Sequence, residues 1–356
     1  MKELRLMKGN EALAEAAIRA GADAYFGYPI TPQSEIMEYL MAQNTEERTG
    51  MIVLQAESEV AAINMIYGAA GCGKKAITSS SGPGISLKQE GLSYIAGAEL
   101  PCVVVNISRG GPGLGTIQPS QADYLQAVKG GGHGDYKVIV LAPASVQETV
   151  DYVKHAFDLA FKYRNPVMIL SDGIIGQMME KVELFEQIPR SDKKYAWATY
   201  GKESDKEATV ATSLHLQPEN QEKFNLKLQA KYREVEKNEV MYQTYEVDDA
   251  EYLFVAFGSC GRITQKAMEI ARDKGYKVGL LRPQTLYPYP YDILNKIAGQ
   301  VKGILTVEMN AGQMLEDVKI GVKGKTNIEH YGRFGGMVPI PDEIVDAFEK
   351  KIIGGK

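Results

Sequence analysis

Short, nearly continuous apolar runs recur along the first half of the chain, separated by segments whose apolar residues return with helical spacing. Ala24 to Tyr28, Met51 to Gln55, Ala76 to Ser80, Pro101 to Ser108, Val138 to Ala142 and Pro166 to Ser171 read as strands. Between them, Glu11 to Ala20 reads as a helix closed by Gly21, Glu59 to Ala70 as a helix of small residues, and Val146 to Phe161 as a long helix. Thr31 as N-cap and Pro32 as first helical residue open another, with Ile36, Met37, Leu40 and Met41 on one face. Apolar strands that alternate with helices predict an α/β fold with a parallel sheet covered on both faces. Ligands of such sheets sit at the carboxyl ends of strands. The loops at 28–31, 79–84 and 109–115 each follow a strand, so all three line one rim.

The pattern changes after Lys181. Residues Gln217 to Lys237 are charged with few apolar positions, which predicts a solvated helix within a connecting segment. A second α/β unit follows, with strands at Tyr252 to Phe257, Lys277 to Leu281 and Gly303 to Glu308. The expected organisation is a first domain at 1–185, a connector at 186–249 and a smaller domain at 250–356.

A chain of 356 residues fits two domains. Its formal charge of -5 argues against a nucleic-acid or membrane-surface partner. Cys72, Cys102 and Cys260 lie far apart, and the four histidines are equally scattered. Neither a disulfide framework nor an iron–sulfur or zinc site is expected within this chain. Met1 to Asn10 lacks an apolar signal core, and no run approaches a membrane span, so a cytoplasmic protein is expected.

Two motif readings fall away on order and context. Gly110-Gly-Pro-Gly-Leu-Gly115 has the wrong glycine order for a dinucleotide fingerprint, is broken by a proline and lacks the acidic partner. No phosphate-binding loop of the G-x-x-x-x-G-K-[ST] type is present. Tyr28-Pro-Ile-Thr-Pro32 is a turn fixed by two prolines, suited to holding one hydroxyl and a few backbone groups in place. Taken alone, Glu59 is a glutamate in a first helical turn, where the helix dipole favours it. Arg109, taken alone, fits a surface ion pair.

Together these residues carry a resemblance. Glu59, Gly68 nine positions on, and a strand ending in Ser81-Gly-Pro-Gly84 are similar to the pyrimidine-binding domain of thiamine-diphosphate enzymes. Added to them are Lys8-Gly-Asn-Glu11, Gly27, Tyr28-Pro-Ile-Thr-Pro32, Arg109-Gly-Gly-Pro112, Gln118-Pro-Ser-Gln121 and His133-Gly-Asp135. The second half adds Leu281-Arg-Pro-Gln-Thr-Leu286, Val307-Glu-Met-Asn-Ala-Gly-Gln313 and Gly332-Arg-Phe-Gly-Gly336. With these, nearly the whole chain resembles the α subunit of the 2-oxoacid:ferredoxin oxidoreductases. Met7 to Glu11, Gly113 to Thr116 and Lys129 to His133 most resemble the branched-chain (2-oxoisovalerate) member, with the 2-oxoglutarate member as competitor.

The resemblance implies a pyrimidine-type domain followed by a smaller transketolase-C-terminal-like domain. It implies that Glu59 bonds N1′ of the thiamine aminopyrimidine and favours the imino tautomer that makes the ylid. It implies that Thr31 and Arg109 hold the 2-oxoacid, the guanidinium clamping its carboxylate, and that Pro29 packs on the pyrimidine. Tyr28 and His133 lie in matching motifs without an assigned role. The diphosphate half is missing. Ser171-Asp-Gly173 lacks the first glycine of the Mg²⁺-binding motif, and no Asn-Asn follows at suitable spacing. The implied complex therefore shares thiamine diphosphate and Mg²⁺ with a β subunit. Iron–sulfur clusters and coenzyme A contacts fall to a γ subunit and a ferredoxin-like subunit, ferredoxin accepts the electrons, and the assembly is a dimer of heteromers. A non-catalytic structural subunit of such a complex is the alternative from another class.

Overall fold

The computed structural model describes residues 3–202 and 207–354. In chain order its strands are β1 (Glu3–Lys8), β2 (Ala24–Gly27), β3 (Ile52–Gln55), β4 (Ala76–Ser80), β5 (Cys102–Ser108), β6 (Ile139–Leu141) and β7 (Pro166–Asp172). Then come β8 (Met179–Leu184), β9 (Tyr242–Tyr245), β10 (Tyr252–Val255), β11 (Val278–Pro283), β12 (Thr285–Tyr287), β13 (Gly303–Glu308) and β14 (Asn327–Gly332). A seven-stranded sheet has the order β12-β6-β7-β5-β4-β2-β3, and a five-stranded sheet the order β14-β13-β10-β11-β9. Every pair in the first sheet is parallel except β12 with β6, and every pair in the second except β9 with β11.

The six expected strands of the first half are β2 to β7. Central β5 and β7 are buried along their whole length, which is why they read as unbroken apolar runs. Edge strand β3 is not: Ile52 and Leu54 stand about half exposed, so the sheet is covered on both faces only away from that edge. The ribbon of β1 and β8 went unread because it is half-buried and carries a charged residue at almost every second position.

The two halves interlock through strands. β9 lies within 186–249 and joins the second sheet, while β12 lies within 250–356 and joins the first. The charged run folds as one helix, Pro218–Asn238, which buries only Leu228, Tyr232 and Val235. No helix among the described residues is long and apolar enough to cross a membrane.

The helix expected to open with Thr31 as N-cap and Pro32 as first residue starts two residues later, at Ser34–Ala42 with Gln33 as N-cap. The carbonyls that would begin it are taken by side chains from elsewhere. Arg109 Nη1 donates to the Thr31 carbonyl (2.9 Å) and Asn10 Nδ2 to that of Pro32 (2.8 Å). Ile36, Met37 and Leu40 are buried as expected, but Met41 stands in solvent.

Candidate active site at the carboxyl edge of the first sheet

Strand order in the first sheet reverses at β2: the chain moves from β2 outward to β3, then returns to lay β4 on the other side of β2. A crevice opens at such a reversal, outside the carboxyl ends of the strands. The turn after β2 and the Ser-Gly-Pro-Gly segment after β4 flank it. The turn is held from three directions. Gln33 Nε2 donates back to the Tyr28 carbonyl (3.1 Å), while its Oε1 accepts from Ser79 at the end of β4. Ser79 in turn meets the Tyr25 phenol at 2.7 Å. Gly27 is required by that phenol, since a Cβ there would lie 2.4 Å from the Tyr25 oxygen. On the far side Asn10 Nδ2 also donates to Glu35 (3.0 Å), and Gly9 lies against the Ile175 carbonyl, where any Cβ would collide.

Glu59 is the first residue of the helix Glu59–Gly71, whose N-cap Ser58 accepts from the Ala61 amide (3.2 Å). Its side chain is 7% exposed. It turns toward Gly84, where an added Cβ would meet Glu59 Oε1 at 2.7 Å and Ser80 Oγ at 2.2 Å. No hydrogen bond from a described residue reaches this carboxylate. The hydroxyls of Ser80 and Ser81, both buried, also lack a partner. A carboxylate enclosed this far, with no donor from the described residues, is free to accept from a ligand.

Arg109 stands 9% exposed at the end of β5 and bonds across the rim. Besides the Thr31 carbonyl it reaches that of Leu114 (3.1 Å), and its buried Nε has no acceptor. Of five N–H groups, three remain to be used. Its aliphatic stem and Nε pack over Gly82, at 3.4 Å from an ideal Cβ. The structure thus brings Glu59, Arg109 and the 28–32 turn to one rim, with Thr31 and Pro29 exposed there. Tyr28 is half-buried, and His133 lies exposed on a separate loop at 130–135. The glycine run after Arg109 closes into a loop rather than opening a helix, Thr116 N donating to Gly110 O (2.8 Å).

Asp172, the carboxylate of the incomplete Mg²⁺ motif, is spent within the fold. Its Oδ1 caps the helix Gly173–Gln177 through the amides of Ile174 (2.8 Å) and Ile175 (3.3 Å), and Ser259 of the second half donates to Oδ2. It is buried, and burial raises its pKa. The residues present therefore fit the pyrimidine end of thiamine diphosphate and not its magnesium–diphosphate end. A cavity of about 630 Å³ lies elsewhere, along 286–293. Two of its lysines are already engaged, Lys129 by Asp317 and Lys137 by the Tyr287 ring.

Sequence reasoning missed Asn10, Gln33, Ser79 and Lys88. Lys88 had a visible signal, since a lysine between Leu87 and a helix that buries Leu92 and Ile95 sits where an apolar residue is expected.

An enclosed carboxylate and a guanidinium thus face one rim of a parallel sheet, at the crevice where such sheets bind ligands. Comparisons with known proteins narrow the class. Residues 15–244 match the family model "Pyruvate flavodoxin/ferredoxin oxidoreductase, thiamine diP-bdg". Residues 250–344 match "Pyruvate:ferredoxin oxidoreductase core domain II". The chain belongs to the 2-oxoacid:ferredoxin oxidoreductase family, and it is an oxidoreductase subunit. Ketoisovalerate oxidoreductase subunit VorB of Methanothermobacter thermautotrophicus is 48% identical over 97% of this chain and 96% of its own length. 2-Oxoglutarate synthase subunit KorA of Methanocaldococcus jannaschii is 37% identical over 99% of this chain and 100% of its own. Among solved structures, 2-oxoglutarate:ferredoxin oxidoreductase from Magnetococcus marinus superposes with a TM-score of 0.86 at 28% identity, covering 99% of this chain and 66% of that one. A split-gene transketolase at 13% identity and TM-score 0.61 shares the fold alone.

Proposed function

We propose that this chain is the pyrimidine-side subunit of a complex that oxidatively decarboxylates 2-oxoisovalerate to an acyl-coenzyme A and carbon dioxide, reducing ferredoxin. The carrying observation is the Glu59 carboxylate, buried in the notch over Gly84 with no protein donor, on the same rim as Arg109. Thiamine diphosphate, when bound, supplies the carbon nucleophile and electron sink. Glu59 holds N1′ of its aminopyrimidine and moves a proton there, and Pro29 packs against the ring. The remaining N–H groups of Arg109 and the exposed Thr31 hydroxyl hold the oxoacid, orienting its carboxylate for loss. The branched-chain substrate is favoured by 48% identity to the ketoisovalerate subunit against 37% to the 2-oxoglutarate one. A β subunit supplies Mg²⁺ and the diphosphate site, and γ and ferredoxin-like subunits hold the coenzyme A contacts and clusters. The assembly is a cytoplasmic dimer of heteromers. Within this chain the domains divide near 185 and 250, with β9 and β12 as the strands each half lends across the join.

The test uses the complex assembled with its partner subunits and follows oxoacid-dependent ferredoxin reduction. Glu59→Gln is expected to lower kcat by roughly 10²–10⁴-fold, the usual contribution of a positioned acid–base group. Near-normal turnover would sink the site. The wild-type complex is expected to show higher kcat/KM for 2-oxoisovalerate than for 2-oxoglutarate, and the reverse order would reassign the substrate.

A further inference from the structure

Directly behind Glu59 lies a group that the proposed chemistry does not use. Lys88 is fully buried, at the joint between the helices Pro83–Leu87 and Gln89–Gly97. Its ammonium donates to Thr78 Oγ1 on β4 (3.1 Å) and lies 3.5 Å from the backbone carbonyl of Glu59. It thus touches the strand that carries the serine run and the first turn of the helix that carries Glu59. An ammonium has three N–H groups to satisfy. One good acceptor and one long contact leave Lys88 under-solvated, and burial pushes its pKa down to about 8 against the pull of the Glu59 carboxylate. That carboxylate is the acidic group whose charge acts on Lys88. β4 carries no charged residue, and Glu90 on the adjoining helix is exposed and bonded to Tyr94. A buried cation so poorly compensated is a poor way to stabilise a fold, because an apolar side chain of the same length would pack there without the desolvation cost.

We propose that Lys88 is a positioning residue of the thiamine site, its ammonium tying the Glu59 turn to β4 and restraining the Glu59 carboxylate from behind by charge attraction. The proposal rests on the reading of Glu59 as the pyrimidine-binding carboxylate. It ties cofactor affinity to the charge on Lys88. The ammonium is present below about pH 8 and is lost as pH rises through that value, so the hold on Glu59 loosens on the alkaline side.

The measurement is the dissociation constant of thiamine diphosphate from the cofactor-stripped, assembled complex, by titration calorimetry between pH 6.5 and about 9.5, with the melting temperature of each variant recorded alongside. Wild type is expected to bind more weakly as pH rises through about 8. Lys88→Met, which keeps the length and removes the charge, is expected to bind about tenfold more weakly at pH 7, the loss of one charge-assisted contact. It should lose the alkaline step and melt no lower than wild type. A flat wild-type profile, or an unchanged alkaline step in Lys88→Met, overturns the proposal. Should Lys88→Met fail to assemble, Thr78→Val decides. Removing the acceptor is expected to move the alkaline midpoint downward, and an unmoved midpoint overturns the idea equally. Glu59→Gln separates the two readings. If it leaves binding and turnover intact, the site itself is misread; if it abolishes turnover while the wild-type profile stays flat, only Lys88 is.

Discussion

Strand order reverses at β2 in the first sheet and at β10 in the second, so each has a crevice at its carboxyl edge there. The two are filled in opposite ways. In the second sheet the crevice lies between the ends of β10 and β13, and Gln121 from the first half occupies it. Its Nε2 donates to the Phe257 carbonyl (2.8 Å), its Oε1 accepts from the Met309 amide (3.1 Å), its amide donates to the Met309 carbonyl (3.1 Å), and Asn310 Nδ2 donates to its carbonyl (2.8 Å). Gln313 adds bonds to Ala122 O and Leu125 N, and Glu308 caps the helix Gln313–Val322 from behind. In the first sheet, the Ser80 and Ser81 hydroxyls and the Arg109 Nε are buried and unmatched, and the Glu59 carboxylate takes no donor from the described residues. Buried polar groups in folded proteins are almost always paired. A crevice whose partners are all supplied by the chain is a joint, and one with unmatched groups leaves room for the ligand proposed above.

The joint also serves the site. Gln118-Pro-Ser-Gln121 continues directly from the loop that begins at Arg109, and Arg109 forms an isolated bridge with Pro119. Gly336 of the second half presses on the same loop, where a Cβ would lie 2.4 Å from that of Gln118. The family motifs given no role by sequence are thus the clasp that fixes the Arg109 loop.

The contrast can be broken most sharply at Gln121. Gln121→Leu removes both side-chain bonds and strands the buried Met309 amide, while the Phe257 carbonyl keeps the Gly261 amide. A loss of about 2–3 kcal/mol in unfolding free energy is expected by chemical denaturation. A change within about 0.5 kcal/mol would mean the second crevice is no joint. Arg109→Lys tests the open crevice with less overall damage. A lysine keeps the charge but not the fork that spans the Thr31 and Leu114 carbonyls and still offers donors to substrate. KM for the oxoacid is expected to rise roughly 10–100-fold, from the loss of about 1.5–3 kcal/mol of charge-assisted bonding, with the melting temperature little moved. An unchanged KM would remove Arg109 from the substrate site. The smallest effect is expected at Gly84. A methyl group there meets the movable ends of Glu59 and Ser80 rather than backbone. Gly84→Ala is expected to fold with wild-type stability and to lose about tenfold or less in kcat/KM by displacing the carboxylate. If catalysis is unaffected, Glu59 does not work from the position seen.

Much of the first sheet was legible because its central strands are buried on both faces and therefore read as apolar runs. Glu59, Thr31 and Arg109 were singled out by the family resemblance, and the structure places all three on one rim. β1, β8 and β12 were not, since a half-buried ribbon and a three-residue edge strand carry no periodicity long enough to stand out. The helix after Pro32 was misplaced because the groups that capture its first carbonyls come from Asn10 and Arg109, distant in sequence and invisible to any local rule.

The sequence by itself determined the alternation of strands and helices, the rim on which the loops gather, and the lack of a complete magnesium motif in its residues. These are local properties of residue type and spacing. Only the tertiary structure decided which polar groups are answered within the chain and which are left open. It turned Asp172 into a helix cap and Gln121 into a clasp, put Lys88 behind Glu59, and left the Glu59 carboxylate without a donor among the described residues. Hydrogen bonds between residues far apart along the chain, and the cost of leaving one unmade in a buried place, exist only once the chain has closed on itself.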